Sequence, residues 1–304
     1  MASRATAVAS KAARQIIHFK QLDRLPGGSG DEVLQVFRAS FFNAQKPIVL
    51  PHGHFDGIPA TTRWFNGKQL NYEYLERYAE CMVPIEVTRL PEREEGAESV
   101  VPVFSRNYLP LYMFLQWAKS PLRSTANIRL YLAQCQLLDL LPALRADFEP
   151  TPELVMRSGK GDIYDTNVWL GLPPTYTPLH RDPNPNIFVQ LAGTKVVRLC
   201  PPDIGFELFQ NIRRLVNQQD LTCSSRDNAV FRGEEMMHGP EKDLLEEAVW
   251  KDPSPAVSST GRKGSEGYEV TLNAGDGLFI PMGWWHSLKS VGDTISGSVN
   301  WWFR

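Results

Sequence analysis

The chain has few cysteines, no long apolar run and almost no net charge, and each shortage removes a class of protein. Cys81, Cys135, Cys200 and Cys223 are the four cysteines in 304 residues. They lack the paired short spacings of a zinc module or a disulfide framework and read as reduced thiols of an intracellular protein, in nucleus or cytoplasm. No apolar stretch approaches the roughly 20 residues that cross a bilayer, and no secretory core follows Met1, so no membrane role is expected. A formal net charge of -2 gives no general pull on phosphate backbones, which disfavours nucleic acid as a default partner, local basic patches aside. What is present is an ordinary globular composition, 42% hydrophobic and 22% charged, long enough for one elaborated domain or two smaller ones.

The first stretch is basic. Residues 1–22 carry Arg4, Lys11, Arg14 and Lys20, are rich in Ala and Ser, and hold no acidic residue. They read as part of a flexible arm over 1–30, or as a mitochondrial presequence. Leu25-Pro26-Gly27-Gly28-Ser29-Gly30 then breaks the chain. An α+β region is expected over 31–127. It has a helix capped by Asp31, a short strand over 46–50, a helix over 70–82 and a strand over 83–89. A charged connection follows over 92–98, then a helix over 109–119 with Leu111, Phe114, Leu115 and Ala118 on one face.

From residue 128 to 304 the pattern changes to short strands punctuated by Gly, Pro and Asp. Residues 186–191 and 195–199 around Ala192-Gly193-Thr194 read as a hairpin, and Gly275-Asp276-Gly277 as a hairpin turn. Further strands are expected over 270–272, 278–281, 285–290 and 294–303. An insertion over about 203–267 holds a helix-like stretch, 204–216, and a polar loop, 252–267, that reads as a lid or as decoration. The evenly spaced strands predict a mainly β fold with flanking helices, closed or double-layered.

One short motif carries the chemistry. In Thr177-Pro178-Leu179-His180-Arg181-Asp182 an extended backbone points His180 and Asp182 the same way. Ile280-Pro281-Met282-Gly283-Trp284-Trp285-His286 offers a second imidazole from another strand. Two histidines and one carboxylate on one face of an octahedral ion leave the opposite face open, the pattern of non-haem Fe(II) oxygenases. A hydrolytic zinc site keeps a single open position, and no helical His-Glu-x-x-His is present. Lys195 alternates with Val197 and Leu199 and so shares an inward face. A buried ammonium calls for an anion, here a bound acidic ligand, unless the strand is half exposed and the side chain snorkels to water. Ser296, Ser298, Asn300 and Trp302 share one face of the last strand, and Ile295, Val299, Trp301 and Phe303 the other, the mark of a polar interior cavity. His52-Gly53-His54-Phe55-Asp56 reads as a turn after Pro51, His18 and His238 as surface or packing residues, and at least one of Trp284 and Trp285 as core.

The run Thr177-x-x-His180-x-Asp182-x-x-x-Asn186, then Lys195, Ile280-Pro281-x-x-Trp284-Trp285-His286 and Asn300-x-Trp302, resembles the JmjC oxygenases. It is most similar to their protein-hydroxylase branch, which includes the asparaginyl hydroxylase regulating the hypoxia-inducible factor. The resemblance is strong from about residue 128 to 304 and implies a double-stranded β-helix, a jelly-roll or cupin barrel. It implies Fe(II) on His180, Asp182 and His286. It also implies Lys195 on the distal carboxylate of 2-oxoglutarate, helped by Thr177 and Tyr131, with Asn186 and Asn300 beside the other end of the cosubstrate. Trp302 and Trp169 would line the cavity or the substrate approach. The implied reaction consumes O2 and 2-oxoglutarate, releases succinate and carbon dioxide, and oxidises a substrate C–H bond.

Hydroxylation of a protein or peptide side chain is the function this resemblance implies first. N-methyl-lysine demethylation, tRNA-base hydroxylation and a non-catalytic cupin-like binding module stand as alternatives. The sequence carries no chromatin-reading module and no cysteine cluster of the kind that accompanies many histone demethylases. Arg304 follows almost directly on the last strand, so dimerisation through C-terminal helices, as in several hydroxylase relatives, is not expected.

Overall fold

The computed structural model describes residues 17–90, 102–121, 123, 127–217, 236–251 and 265–304. The connection expected at 92–98, Cys223 and the polar loop up to residue 264 lie outside them. Two large sheets carry the fold. The first comprises β1 (Ile17–Gln21), β9 (Tyr176–Arg181), β11 (Thr194–Cys200), β12 (Ser265–Asn273) and β14 (Trp285–Val291), in the order β1-β12-β11-β14-β9. The second comprises β2 (Ile48–Val49), β5 (Met82–Arg89), β6 (Val103–Pro110), β7 (Ile128–Cys135), β8 (Ile163–Gly171), β10 (Asn186–Ala192), β13 (Gly277–Ile280) and β15 (Ser296–Phe303). Its order is β2-β13-β10-β15-β8-β7-β5-β6. A small ribbon, β3 (Phe65–Asn66) with β4 (Gln69–Leu70), lies apart. The result is the expected jelly roll in its double-layered form: among the described residues the sheets face each other without a shared ladder.

Central strands show why. Every residue of β10 is buried, as befits a strand covered on both faces. Between the sheets lie Val49, Phe188, Val197, Leu199, Val270, Leu272, Leu278, Ile280 and Leu288 in one apolar cluster. On β11 the buried Lys195, Val197 and Leu199 alternate with the half-buried Val196 and Arg198, as the pleat requires.

Residues 186–199 do not form a hairpin. β10 pairs with β13 and β15, whereas β11 pairs with β12 and β14. Gly193 instead turns the chain from one sheet to the other, and 275–277 does the same between β12 and β13. A Gly-containing turn between two apolar runs looks identical in sequence whether the runs pair or face each other. Gly193 adopts φ +69, and a Cβ there would stand 2.5 Å from the carbonyl oxygen of Ile295. Gly193→Ala is therefore expected to cost about 1–3 kcal/mol from backbone strain alone, measured as a lower urea midpoint; an unchanged midpoint would show that the corner relaxes freely.

The N-terminal part is more firmly built in than the sequence suggested. β1 pairs in parallel with β12, so the arm expected over 1–30 is anchored from Ile17 onward. Ser29, two residues before the expected cap, opens the helix Gly30–Phe37 in a reciprocal capping box with Glu32. The helix expected over 70–82 shrinks to Tyr72–Leu75 and a 3-10 turn, Glu76–Tyr78, because Met82 is already committed to pairing with Pro110. β2, β5 and β6 extend the eight-stranded sheet, and one apolar cluster runs from Leu25 to Phe303, so the division at 127/128 falls inside one sheet and one core. The helix Leu111–Lys119 buries the four residues expected of it.

Within the insertion, the helices Pro202–Asn217 and Gly239–Trp250 pack through Leu208, Phe209, Ile212, Leu245 and Val249 with Trp285 behind the five-stranded sheet. Ser265–Gly267, expected in the loop, already belong to β12. Trp284 and Trp285 are both buried.

Candidate metal and cosubstrate site

His180 near the end of β9 and His286 near the start of β14 are cross-strand partners, and their ring centroids lie 4.2 Å apart. Asp182 follows one residue past β9. Its Oδ1 stands 3.6 Å from His180 Nε2 and its Oδ2 3.5 Å from His286 Nε2. One donor atom from each residue falls within 4.8 Å of the others, and no further metal-ligand cluster occurs among the described residues. His180 Nδ1 faces the Pro178 carbonyl at 2.8 Å and His286 Nδ1 faces the Trp284 carbonyl at 3.1 Å. A carbonyl only accepts, so each Nδ1 carries a proton, which leaves each Nε2 as the nitrogen that faces the centre. Burial pushes His180 down to about 4, with His286 adding to the shift and Asp182 opposing it. The ring is thus a neutral ligand at neutral pH.

The donor set fits a divalent cation. Asp182 is 3% exposed, its Oδ2 accepts from Asn186 Nδ2 at 2.8 Å, and its Oδ1 has no hydrogen-bond partner among the described residues. A buried carboxylate oxygen facing two imidazole nitrogens is completed by a cation. Two imidazole nitrogens and one carboxylate oxygen, grouped on one side of an open pocket, suit non-haem Fe(II).

Deeper in the same pocket, Lys195 is 2% exposed. Its Nζ donates to Ser298 Oγ at 2.8 Å and to the Tyr131 hydroxyl at 3.4 Å, beneath the rings of Phe188, Tyr131 and Trp169. No carboxylate pairs with it among the described residues, and burial alone pushes it down to about 7. Tyr131 crosses over Gly171, where a Cβ would stand 2.5 Å from the Tyr131 ring, so only glycine lets the phenol lie there. Burial raises the Tyr131 phenol above its ordinary range, partly offset by hydrogen bonds with Thr175 and Thr177. The phenol therefore stays protonated.

The ten residues assigned to the site from the sequence, His180, Asp182, His286, Lys195, Thr177, Tyr131, Asn186, Asn300, Trp302 and Trp169, line one pocket. Asn186 holds Asp182, and Asn300 Oδ1 accepts from Trp169 Nε1 at 2.8 Å. Trp302 Nε1 is a buried donor without a hydrogen-bond partner among the described residues. Gln134, Phe188, Ile280 and Leu288 also line the pocket and were not anticipated as site residues. Phe188 follows Asn186 by two and was readable by alternation. Gln134 was not, because a slip in the β7–β8 ladder between Leu132 and Cys135 breaks the alternation there. His18, His52 and His238 are exposed and away from the triad.

Comparison with known proteins agrees with this geometry. The family model for the cupin-like domain matches residues 34–304. The chain is 26% identical over 273 residues to lysine-specific demethylase 8 of Danio rerio, covering 89% of this chain and 56% of that protein. It is 27% identical over 271 residues to Jumonji C domain-containing protein 5 of Drosophila melanogaster, covering 88% and 57%. It is 27% identical over 277 residues to lysine-specific demethylase JMJ30 of Arabidopsis thaliana, covering 89% and 52%. The chain thus spans little more than half the length of these relatives. Their names support the JmjC resemblance and give no support to the narrower placement in the protein-hydroxylase branch. With a model match over most of its length and the His180, Asp182, His286 triad in place, the chain belongs to the cupin-like domain family, in its JmjC branch.

Proposed function

We propose that this protein is an Fe(II)- and 2-oxoglutarate-dependent oxygenase acting on a protein side chain, with N-methyl-lysine demethylation as the first reading. The observation that carries the oxygenase reading is the joint one: two histidines and an aspartate converge in a pocket whose inner end holds a buried lysine without a carboxylate partner. When bound, iron and 2-oxoglutarate with dioxygen supply the oxidant for an unactivated C–H bond, and the rest of the work is placement. His180, Asp182 and His286 hold the metal, and Asn186 fixes the orientation of Asp182. Lys195 offers its ammonium to the distal carboxylate of the cosubstrate, with Ser298 and Tyr131 orienting it. Trp169 and Trp302 flank the space left for substrate.

The demethylase reading rests on the names of the relatives and places hydroxylation second. Succinate formation from 2-oxoglutarate with Fe(II) and ascorbate tests the shared chemistry; a metallated protein that neither binds nor consumes 2-oxoglutarate would leave only a binding module. Mass spectrometry of methylated and unmethylated peptides then separates the two outcomes, loss of a methyl group against gain of one oxygen.

Lys195 sets a pH dependence. Burial holds it near 7 in the ligand-free protein, and a carboxylate partner raises it again. Above pH 7 the free lysine is neutral and must take up a proton to bind the dianion. The affinity for 2-oxoglutarate is therefore expected to fall by up to about tenfold per pH unit above 7, and to level off below it. Calorimetric titration in buffers of different ionisation enthalpy should show net proton uptake at pH 8; none at all would mean that Lys195 is already charged.

A further inference from the structure

Gln134 reaches the pocket by a break in its strand. Opposite β8, Leu132 pairs with Leu170 and Cys135 with Val168, so two residues, Ala133 and Gln134, stand against Trp169 alone. This is a β-bulge. Gln134 carries a left-handed φ of 45, a strained state for a residue with a side chain. The carbonyls of Ala133 and Gln134 are instead taken by the Arg106 guanidinium at 3.2 and 3.4 Å, across β5 from the neighbouring β6. The bulge turns Gln134 to the same side as Tyr131, where it lines the pocket with Trp169 and Trp302. Its amide oxygen is buried and has no hydrogen-bond partner among the described residues. Strain, a dedicated guanidinium clamp and an unpaired acceptor together have no structural return within the protein.

Building on the oxygenase reading above, we infer that Gln134 is a specificity-determining residue whose amide oxygen accepts an N–H from the substrate side chain beside the carbon that reacts. The substrates it selects carry that N–H: a guanidinium, a carboxamide, or an ammonium that is not fully methylated. A side chain without one leaves the Gln134 oxygen buried and unpaired, which discriminates strongly against it.

The test uses peptide libraries with random flanks around one fixed central residue: arginine, asparagine or dimethyllysine as N–H bearers, trimethyllysine or leucine without one. Substrate-stimulated succinate release and the mass change of the central residue are read for wild type, Gln134→Glu and Gln134→Leu. Anaerobic peptide binding provides a readout independent of turnover. Wild type is expected to favour its best N–H bearer over trimethyllysine and leucine by roughly tenfold or more, about 1.4 kcal/mol. Gln134→Glu, which only accepts, keeps that ratio, and Gln134→Leu brings it within about twofold. The ratio is internal to each variant, so a general loss of activity cancels. Equal or better use of trimethyllysine or leucine by wild type overturns the inference, as does a preserved ratio in Gln134→Leu or a collapsed one in Gln134→Glu. Succinate formation with no stimulation by any N–H-bearing library also overturns it while the oxygenase reading stands. Absence of any 2-oxoglutarate binding or turnover in wild type brings down both.

Discussion

Asp182→Ala is expected to reduce succinate formation from 2-oxoglutarate by roughly 10³-fold or more, at least about 4 kcal/mol of barrier, while the metal-free protein keeps its fold. The carboxylate is buried between two imidazoles and, among the described residues, receives one hydrogen bond, from Asn186, with its Oδ1 unpaired. Without a cation, that arrangement contributes little to stability, because a buried charge with few partners is costly. Alanine removes the charge and strands the Asn186 amide, a loss of about 1–3 kcal/mol offset by the desolvation relieved. Urea unfolding of the metal-free variant should therefore fall within about 2 kcal/mol of wild type. A dyad serving only the fold would give the reverse: normal turnover, if any, and a large loss of stability.

Lys195→Met should separate cosubstrate binding from metal binding. The ammonium is 2% exposed, and among the described residues its hydrogen bonds go only to the hydroxyls of Ser298 and Tyr131. Methionine has nearly the same length and no charge, so the core is preserved and the ligand-free protein is expected to be at least as stable. The 2-oxoglutarate dianion, by contrast, would meet an apolar tip at the end of its pocket. Removing one partner of a buried pair costs about 3–5 kcal/mol, or roughly 10²- to 10⁴-fold in affinity. Metal binding, measured without cosubstrate, should be unaffected, since Lys195 does not touch the triad. Equal loss of both would mean that the pocket had collapsed.

The sequence made the inward face of β11 and β15 readable because period-two alternation survives there: Lys195, Val197 and Leu199 are buried in step, and Ser298 and Asn300 face the pocket. His180 and Asp182 were readable for the same reason. What alternation could not show lies where the ladders slip. Between His286 and Leu288 the register shifts, so Thr177 and His180, three apart, both reach the pocket. At Ala133 and Gln134 the slip moves a residue from the face that period two assigns to the opposite one, which hid Gln134. The corners at Gly193 and 275–277 look like hairpin turns in sequence, because local turn chemistry carries no information about which sheet the next strand joins. β1 is not legible in sequence, because an N-terminal basic stretch looks like an arm until its partner, β12, is known.

The most direct test of the account is anaerobic titration of 2-oxoglutarate into the Fe(II)-loaded protein, with wild type, Asp182→Ala and Lys195→Met side by side. One 2-oxoglutarate bound per iron in wild type, with metal lost in the first variant and cosubstrate affinity lost in the second, is the predicted result. Absence of 2-oxoglutarate binding in wild type, or its retention at full affinity in both variants, would contradict it.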